Sequence, residues 1–333
     1  MRKQTTSLAG LAAATALVLS ACGGVQTSAG SGSDSGEYPT GAVDMPVGAS
    51  AGGSSDLISR EIAKGLSDEL DGTFSVINRE GANGALAAAE VAKAEPDGST
   101  ISVQNASLFV ITPLAVSEDE VTSIDDFDVV GGVSRDDYVL VASKGSGLTS
   151  IDDLSGATEK ITYGTTGVGT GAQLACALTF NVNETEAEAI PFDGGAPALT
   201  ALLGDQVDTA CLQVGEAMEN IEAGKIVPLT VFGPERVEFL PDVPTATEQG
   251  LDVEVAQYRF MTVPKGTPDD VKDAIWGAME TTFADEDYQS FNELNNLTPM
   301  EISGEEVVAQ LEEDKQRYAD LVDEYGIDLG SAS

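Results

Sequence analysis

An α/β protein of two similar lobes is what this sequence predicts, and three observations predict it. From Tyr38 onward, strand-like apolar runs alternate with amphipathic helix-like runs, an order that builds a mostly parallel sheet with helices on both faces. A strand, a loop of small residues and a helix follow one another from residue 43 to 66, and the same succession returns from 160 to 180. The chain has 333 residues, enough for two domains of ordinary size.

The first of these loops is Gly48-Ala49-Ser50-Ala51-Gly52-Gly53-Ser54-Ser55-Asp56. An apolar run ends before it at Val47, and Leu57, Ile58, Ile62 and Leu66 follow at helical spacing. Small residues let backbone come close to a ligand, and the first N–H groups of the new helix have no partner within the helix. With the positive end of the helix dipole they form an anion site that needs no basic side chain. The second loop is Gly164-Thr165-Thr166-Gly167-Val168-Gly169-Thr170-Gly171, between a strand at 160–163 and a helix at 172–180. Two such loops suggest two lobes facing one ligand. The candidate contacts are therefore Gly48, Ala49, Ser50, Ala51, Gly52, Gly53 and Ser54 in the first loop, with Thr165, Thr166, Gly167, Val168, Gly169 and Thr170 in the second. The hydroxyls of Ser50, Ser54, Thr165, Thr166 and Thr170 add donors. Asp56 sits in a first helical turn, as a stabilising acid near the dipole or as a partner for a ligand ammonium. Ser107, just beyond the 100–104 strand, joins this set.

The remaining elements follow in order. Residues 1–21 read as a lipoprotein signal peptide, with Arg2 and Lys3 as its positive start and 8–19 as an apolar segment too short to span a bilayer. It ends in Leu19-Ser20-Ala21-Cys22, which is similar to a bacterial lipobox in which Cys22 receives lipid. The alternative is an ordinary secretory signal with an incidental cysteine. Residues 22–37 are a Gly/Ser-rich flexible tether. The first lobe takes 38–136 plus 254–333: strands at 42–47, 74–78 and 100–104, helices at 55–69 and 85–94, and extended runs at 125–132 and 138–143. The stretch 133–141 is a candidate first crossing. The second lobe takes 137–253, with strands at 160–163, 187–192, 207–214 and 226–232 and helices at 151–154, 172–180, 197–203 and 216–223. An extended run at 253–263 crosses back. Helical runs at 269–283, 286–294 and 304–325 are expected to pack on the first lobe, with Trp276 in the core.

Composition excludes several functions. Sixteen basic residues less Arg2 and Lys3 leave fourteen from Cys22 onward, against 56 acidic ones, a net charge of −42. Such a chain is a poor partner for nucleic acid or an anionic lipid surface. Histidine is absent, which removes the usual general base and the commonest transition-metal ligand. Gly48-Ala49-Ser50-Ala51-Gly52 matches the G-x-S-x-G nucleophile elbow. Its triad needs a base, and without histidine only a Ser–Lys dyad is left, with no nearby lysine marked out. An exported Ser-dependent hydrolase is thus the minor alternative. Gly167-Val168-Gly169-Thr170-Gly171-Ala172, followed by Asp193, mimics a dinucleotide fingerprint. Close approach to a smaller ligand explains the same glycines in an exported chain, and neither cofactor nor metal is called for. Arg79 and Arg259 are candidate ligand contacts or structural pairs. Cys176 and Cys211 lie outside the cytoplasm on this reading, which favours a disulfide over two buried thiols.

Together these stretches give a resemblance. The chain resembles the extracytoplasmic solute receptors of the tripartite tricarboxylate transporter family, also called the Bug family. It does so through 46–56, Asn78-Arg79-Glu80-Gly81-Ala82-Asn83-Gly84, Pro96-Asp97-Gly98, Tyr163-Gly164-Thr165-Thr166-Gly167-Val168-Gly169, Pro191-Phe192-Asp193-Gly194-Gly195-Ala196-Pro197, Gly204-Asp205-Gln206-Val207-Asp208, Val243-Pro244-Thr245 and Pro264-Lys265-Gly266-Thr267-Pro268. The resemblance covers nearly all of the chain from Tyr38. It implies a two-lobed type II periplasmic binding protein fold, with lobes joined by two crossing strands and closing over a small carboxylate held by backbone amides. The ligand would be a di- or tricarboxylate, an aromatic acid or an amino acid. The partners would be two integral membrane transporter subunits. A lipid-anchored monomer on the extracytoplasmic face of the cell membrane would deliver the ligand to them, or else serve as a ligand sensor for a receptor kinase. Tyr258-Arg259 stands where the family usually has an aromatic pair, and Asp193 where a lysine is more typical. An extra cation and an extra anion there would favour a zwitterionic or polar ligand.

Overall fold

The computed structural model describes residues 38–330; Cys22, the signal peptide and the tether lie outside the described residues. The first lobe opens with β1 (Val43–Val47), α1 (Ser54–Glu69) and β2 (Phe74–Asn78). Ile58, Ile62 and Leu66 recur on one helical face, and all three are buried in a cluster with Val43, Met45, Ile275 and Met279. That face fixes α1 to its sheet. β1 and β2 pair in parallel, as a strand–helix–strand unit requires. α2 (Ala85–Val91), β3 (Ser102–Asn105) and the single turn α3 (Ser107–Val110) complete this part of the lobe.

The crossing is where expectation and structure part. The sequence reads as two extended runs, 125–132 and 138–143; the structure has one 17-residue strand, β4 (Phe127–Ser143), with register irregularities on either side of Gly131-Gly132. A side chain at Gly131 would collide with the Trp276 ring and one at Gly132 with the Met300 carbonyl. The glycines therefore mark close packing on a continuous strand. β4 leads into the second lobe.

That lobe contains α4 (Asp152–Ser155), β5 (Ile161–Thr165), α5 (Gly171–Val182), β6 (Ala187–Pro191), α6 (Gly195–Leu203), β7 (Thr209–Gln213), α7 (Val214–Glu222) and β8 (Ile226–Val231). The chain returns through β9 (Ala256–Pro264), then α8 (Asp269–Phe283), α9 (Glu286–Asn295), the short β10 (Thr298–Pro299) and α10 (Gly304–Tyr325).

The sheet is mixed rather than mostly parallel. β5 pairs in parallel with β6 and β7. β4 is antiparallel to β9 along its first part, and to β7 and β8 along its second. β3 is also antiparallel to β9. The physical reason is the route of the chain: β4 leaves the first lobe and β9 comes back beside it, so the two strands that join the lobes run in opposite directions. The alternation of strands and helices records only the connections inside each lobe.

The tail helices also differ from expectation in one respect. α8 packs in the first-lobe cluster through Ile275, Ala278 and Met279. α10 instead contributes Val307, Leu311 and Tyr318 to a cluster that includes Phe109 and also Leu174 and Leu178 of α5, so it lies across the junction of the lobes. Asp314 of α10 accepts from Tyr258 Oη at 2.9 Å, and Arg317 pairs with Glu254 at 3.4 Å. In the second lobe Cys176 of α5 and Cys211 of β7 form a disulfide with Cα atoms 5.9 Å apart. The bridge spans a sequence separation of 35, and closing a loop of that length stabilises the fold by about 3–4 kcal/mol by restricting the unfolded chain.

Candidate functional site

A cleft of about 780 Å³ lies between the lobes. Its first wall is the loop after β1. Gly48 can lie there because it meets the backbone of Gly84, where a Cβ would collide with the Gly84 Cα. Gly53 caps α1 without a side-chain hydrogen bond, so the helix start presents main-chain donors toward the cleft. Gly48, Ala49, Ser50, Ala51, Gly52, Gly53 and Ser54 all line it.

Asp56 does something else. It is 1% exposed and accepts from Gly52 N–H at 2.8 Å, from Asn78 Nδ2 at 2.8 Å and from Arg60 Nε at 3.0 Å. Burial pushes its carboxyl up, but the hydrogen bonds from Arg60, Gly52 and Asn78 together with the Arg60 charge outweigh it and hold it below its ordinary value. Asp56 thus ties the loop to its helix and does not line the cleft.

The second loop contributes Thr166, Gly167, Val168 and Thr170 to the opposite wall. Its helix start is occupied by its own side chains. Thr170 Oγ1 accepts from Gln173 N–H at 3.3 Å and donates to the Gly167 carbonyl at 2.9 Å. Gly169 N–H donates to Gln173 Oε1 at 2.7 Å. Thr165 and Gly169 lie away from the lining. Thr165 is fully buried at the end of β5, where its carbonyl accepts from Phe192 N–H at 3.0 Å. Gly169 touches the other lobe: its carbonyl accepts from Thr112 Oγ1 at 3.1 Å and Asn83 Nδ2 at 3.3 Å.

The other expected contacts divide. Arg259 reaches the cleft, but its guanidinium is committed. It pairs with buried Asp136 and donates to Ser55 Oγ at 2.8 Å and Ser54 Oγ at 3.3 Å. Asp193 lines the cleft from an exposed position. Ser107 stands one layer back, accepting from Asn83 Nδ2 at 3.1 Å and Gln257 Nε2 at 3.4 Å. Tyr258 is buried against α10. Arg79 pairs with Glu90 at 2.6 Å on the surface and is absent from the cleft lining. Among the described residues, the one cation that lines the cleft is therefore neutralised by Asp136.

Sequence reasoning missed a third helix start. Gly194 caps α6 without a side-chain hydrogen bond, and Gly194, Gly195 and Ala196 line the cleft. The signal was present in Gly194-Gly195 after a strand, the same grammar as the first loop. It also missed Glu216, which enters from the first turn of α7. Burial, reinforced by the Asp136 charge, pushes the Glu216 carboxyl up to about 7, against the pull of Arg259 and the Gln213 N–H. Nothing local to Gly215-Glu216 distinguishes it from the many surface acids. Among the described residues no group of three acids or cysteines is placed to hold a metal ion.

Geometry of this kind has known counterparts. Residues 58–327 match the sequence pattern of TctC, the tripartite tricarboxylate transporter family receptor. A UPF0065 protein of the TAR-I ttuE-ttuC' intergenic region of Agrobacterium vitis is 32% identical over 253 residues, covering 74% of this chain and 73% of its own length. The structure of Rpa4515 of R. palustris with adipate is 25% identical, with a TM-score of 0.81, covering 87% of this chain and 99% of that one. MatC of Rhodopseudomonas palustris with bound malate is 25% identical, with a TM-score of 0.77 over 86% of this chain and 100% of its own. With the receptor pattern running from α1 to beyond α10, this chain belongs to the tripartite tricarboxylate transporter family of solute receptors.

Proposed function

We propose that this protein is a lipid-anchored receptor. It captures a small organic carboxylate between its lobes and delivers it to two membrane subunits of a tripartite tricarboxylate-type transporter. The family is one of extracytoplasmic receptors, and among the described residues no helix is long and apolar enough to cross a membrane. The lipobox-like Leu19-Ser20-Ala21-Cys22 supports an acyl anchor, and the receptor works as a monomer on it. The observation that carries the reading is the start of α1. A helix of 16 residues opens into the cleft with no side-chain cap, which suits a carboxylate. Relatives with adipate and with malate support the same ligand class.

The net charge of −42 from Cys22 onward repels anions at long range, yet salt cuts distant charges off beyond about 8–10 Å. At contact the oriented amides of α1, joined by those of α6, decide the sign. The reading is tested by calorimetry with small mono-, di- and tricarboxylates. Saturable binding is expected in the parent and not in Ala51→Trp, which fills the first loop; failure of every carboxylate to bind the parent rejects it. For the anchor, intact mass of membrane-fraction protein should show acylation at Cys22 and loss of residues 1–21. Retention of a Cys22→Ala variant in that fraction would reject the anchor alone.

A further inference from the structure

Beside the cleft lies a smaller chamber of about 300 Å³. Gly52, Gly53, Ser54, Ala196, Gln213 and Glu216 line both spaces, so they share a boundary built from the starts of α1, α6 and α7. The chamber has a different chemistry from the cleft. Its remaining walls are largely apolar: Leu57 and Ile58 from α1, Leu199 from α6, Phe291 and Leu294 from α9, and Leu297. Both lobes contribute, as they do to the cleft. Leu294 is 82% exposed and Leu57 38%. Large apolar side chains gathered at the mouth of a chamber mark a place where apolar surface is received.

Resting on the carboxylate reading above, we infer that the ligand is a monocarboxylate with an apolar body, an alkyl chain or aromatic ring of about five or more carbons. Its carboxylate sits at the start of α1 and its body in the side chamber. Size fits: a dry apolar cavity of about 150 Å³ holds benzene, so a chamber twice that volume takes a substituted ring or a chain of several methylenes. Charge selects further. A second carboxylate at the far end of the ligand would lie against Leu57, Leu199, Phe291 and Leu294, with its charge unpaired. Among the described residues no lysine or arginine lines the chamber to receive it. The two ends of the binding space therefore accept different groups, an anion at the main-chain donors and hydrocarbon at the leucines.

Calorimetry with two matched series tests this: straight-chain monocarboxylates from butanoate to octanoate, and the diacids succinate to suberate. Each buried methylene is expected to tighten binding of the monocarboxylates by about fourfold. Each diacid should bind at least about tenfold more weakly than the monocarboxylate of equal length. Leu57→Asn and Leu199→Asn should flatten the dependence on chain length. Leu203→Asn, on an exposed residue outside the chamber, should preserve it. Binding independent of chain length, tighter binding of the diacids, or an unchanged slope in both chamber variants would overturn the inference and leave the carboxylate reading standing. If neither series binds, this inference fails, and the carboxylate reading falls with it only if the tricarboxylates also fail to bind.

Discussion

The two small-residue loops look alike in sequence and differ in what their helix starts do. Before α1, Gly53 offers no side chain to the first amides. Before α5, Thr170 caps Gln173 N–H, although in both loops a side chain one turn into the helix, Asp56 or Gln173, takes the N–H of the residue before the cap. Their supports differ as well. The first loop is pinned by Asp56 from within its helix and by Arg259 through Ser54 and Ser55. The helix behind the second is tied to β7 by the Cys176–Cys211 disulfide. A strand, a glycine-rich loop and a helix therefore specify a backbone shape, while the residue at the helix cap, Gly53 or Thr170, decides whether the first donors are left for a ligand.

The largest effect expected from breaking this contrast is at Arg259. Arg259→Met leaves Asp136 buried without its counter-charge and should cost about 3–5 kcal/mol of stability by denaturant unfolding. The double variant with Asp136→Leu should recover most of that loss. Equal stability of parent and single variant would mean that the pair does not support the first loop.

The sharper test gives the first loop what the second already has. Gly53→Asp supplies an internal carboxylate at the α1 start from a position with extended backbone (φ −73°, ψ 162°). Ligand binding should weaken at least about 100-fold, roughly 2.7 kcal/mol, while stability changes by no more than about 1 kcal/mol, the new Cβ lying 3.1 Å from the Ser50 carbonyl. Undiminished binding would place the anion elsewhere. The mirror experiment is Thr170→Ala, which removes an existing cap. It should lower stability by about 1 kcal/mol and change affinity by less than about threefold, a small fraction of the effect at Gly53.

The smallest effect concerns the boundary acid. The folded-state value of Glu216, about 7, lies above its ordinary 4.5. The folded state therefore binds this proton more tightly than the unfolded chain does. The stability contribution is fully present below about 4.5 and is lost as pH rises through about 7. Solvent in the cleft reduces its size. Unfolding curves compared across that window should show a slope in the parent that Glu216→Gln lacks; the same slope in both would assign it to other groups.

Much of this fold was legible because its signals are local. The apolar period of α1, the tail helices at 269–283 and 304–325 and the small-residue turns all record backbone conformation within a few residues. The first loop could be read as a cleft wall for the same reason: close approach needs small side chains, whatever surrounds them. Contacts among distant residues left no such record. Arg259 and Asp136 are separated by 123 positions, and neither has a neighbour that announces the other. Tyr258 was expected at the ligand and stands behind the wall, because a strand's alternation gives two faces without saying which faces the cleft; Ser107, at the start of α3, stands back because Asn83 and Gln257 lie against it.

By itself, then, the sequence determined the α/β character, the two loops, their helix starts, and the absence of histidine chemistry. These depend on residue type and short spacing. Only the tertiary structure decided that β4 and β9 run antiparallel at the crossing, that α10 lies across the lobe junction, and that Arg259 in the cleft is already neutralised. It also brought Leu57 of α1, Leu199 of α6 and Leu294 of α9 around a single chamber. Each is unremarkable on its own helix, and a shared wall exists only once strand order and helix packing bring the three surfaces together.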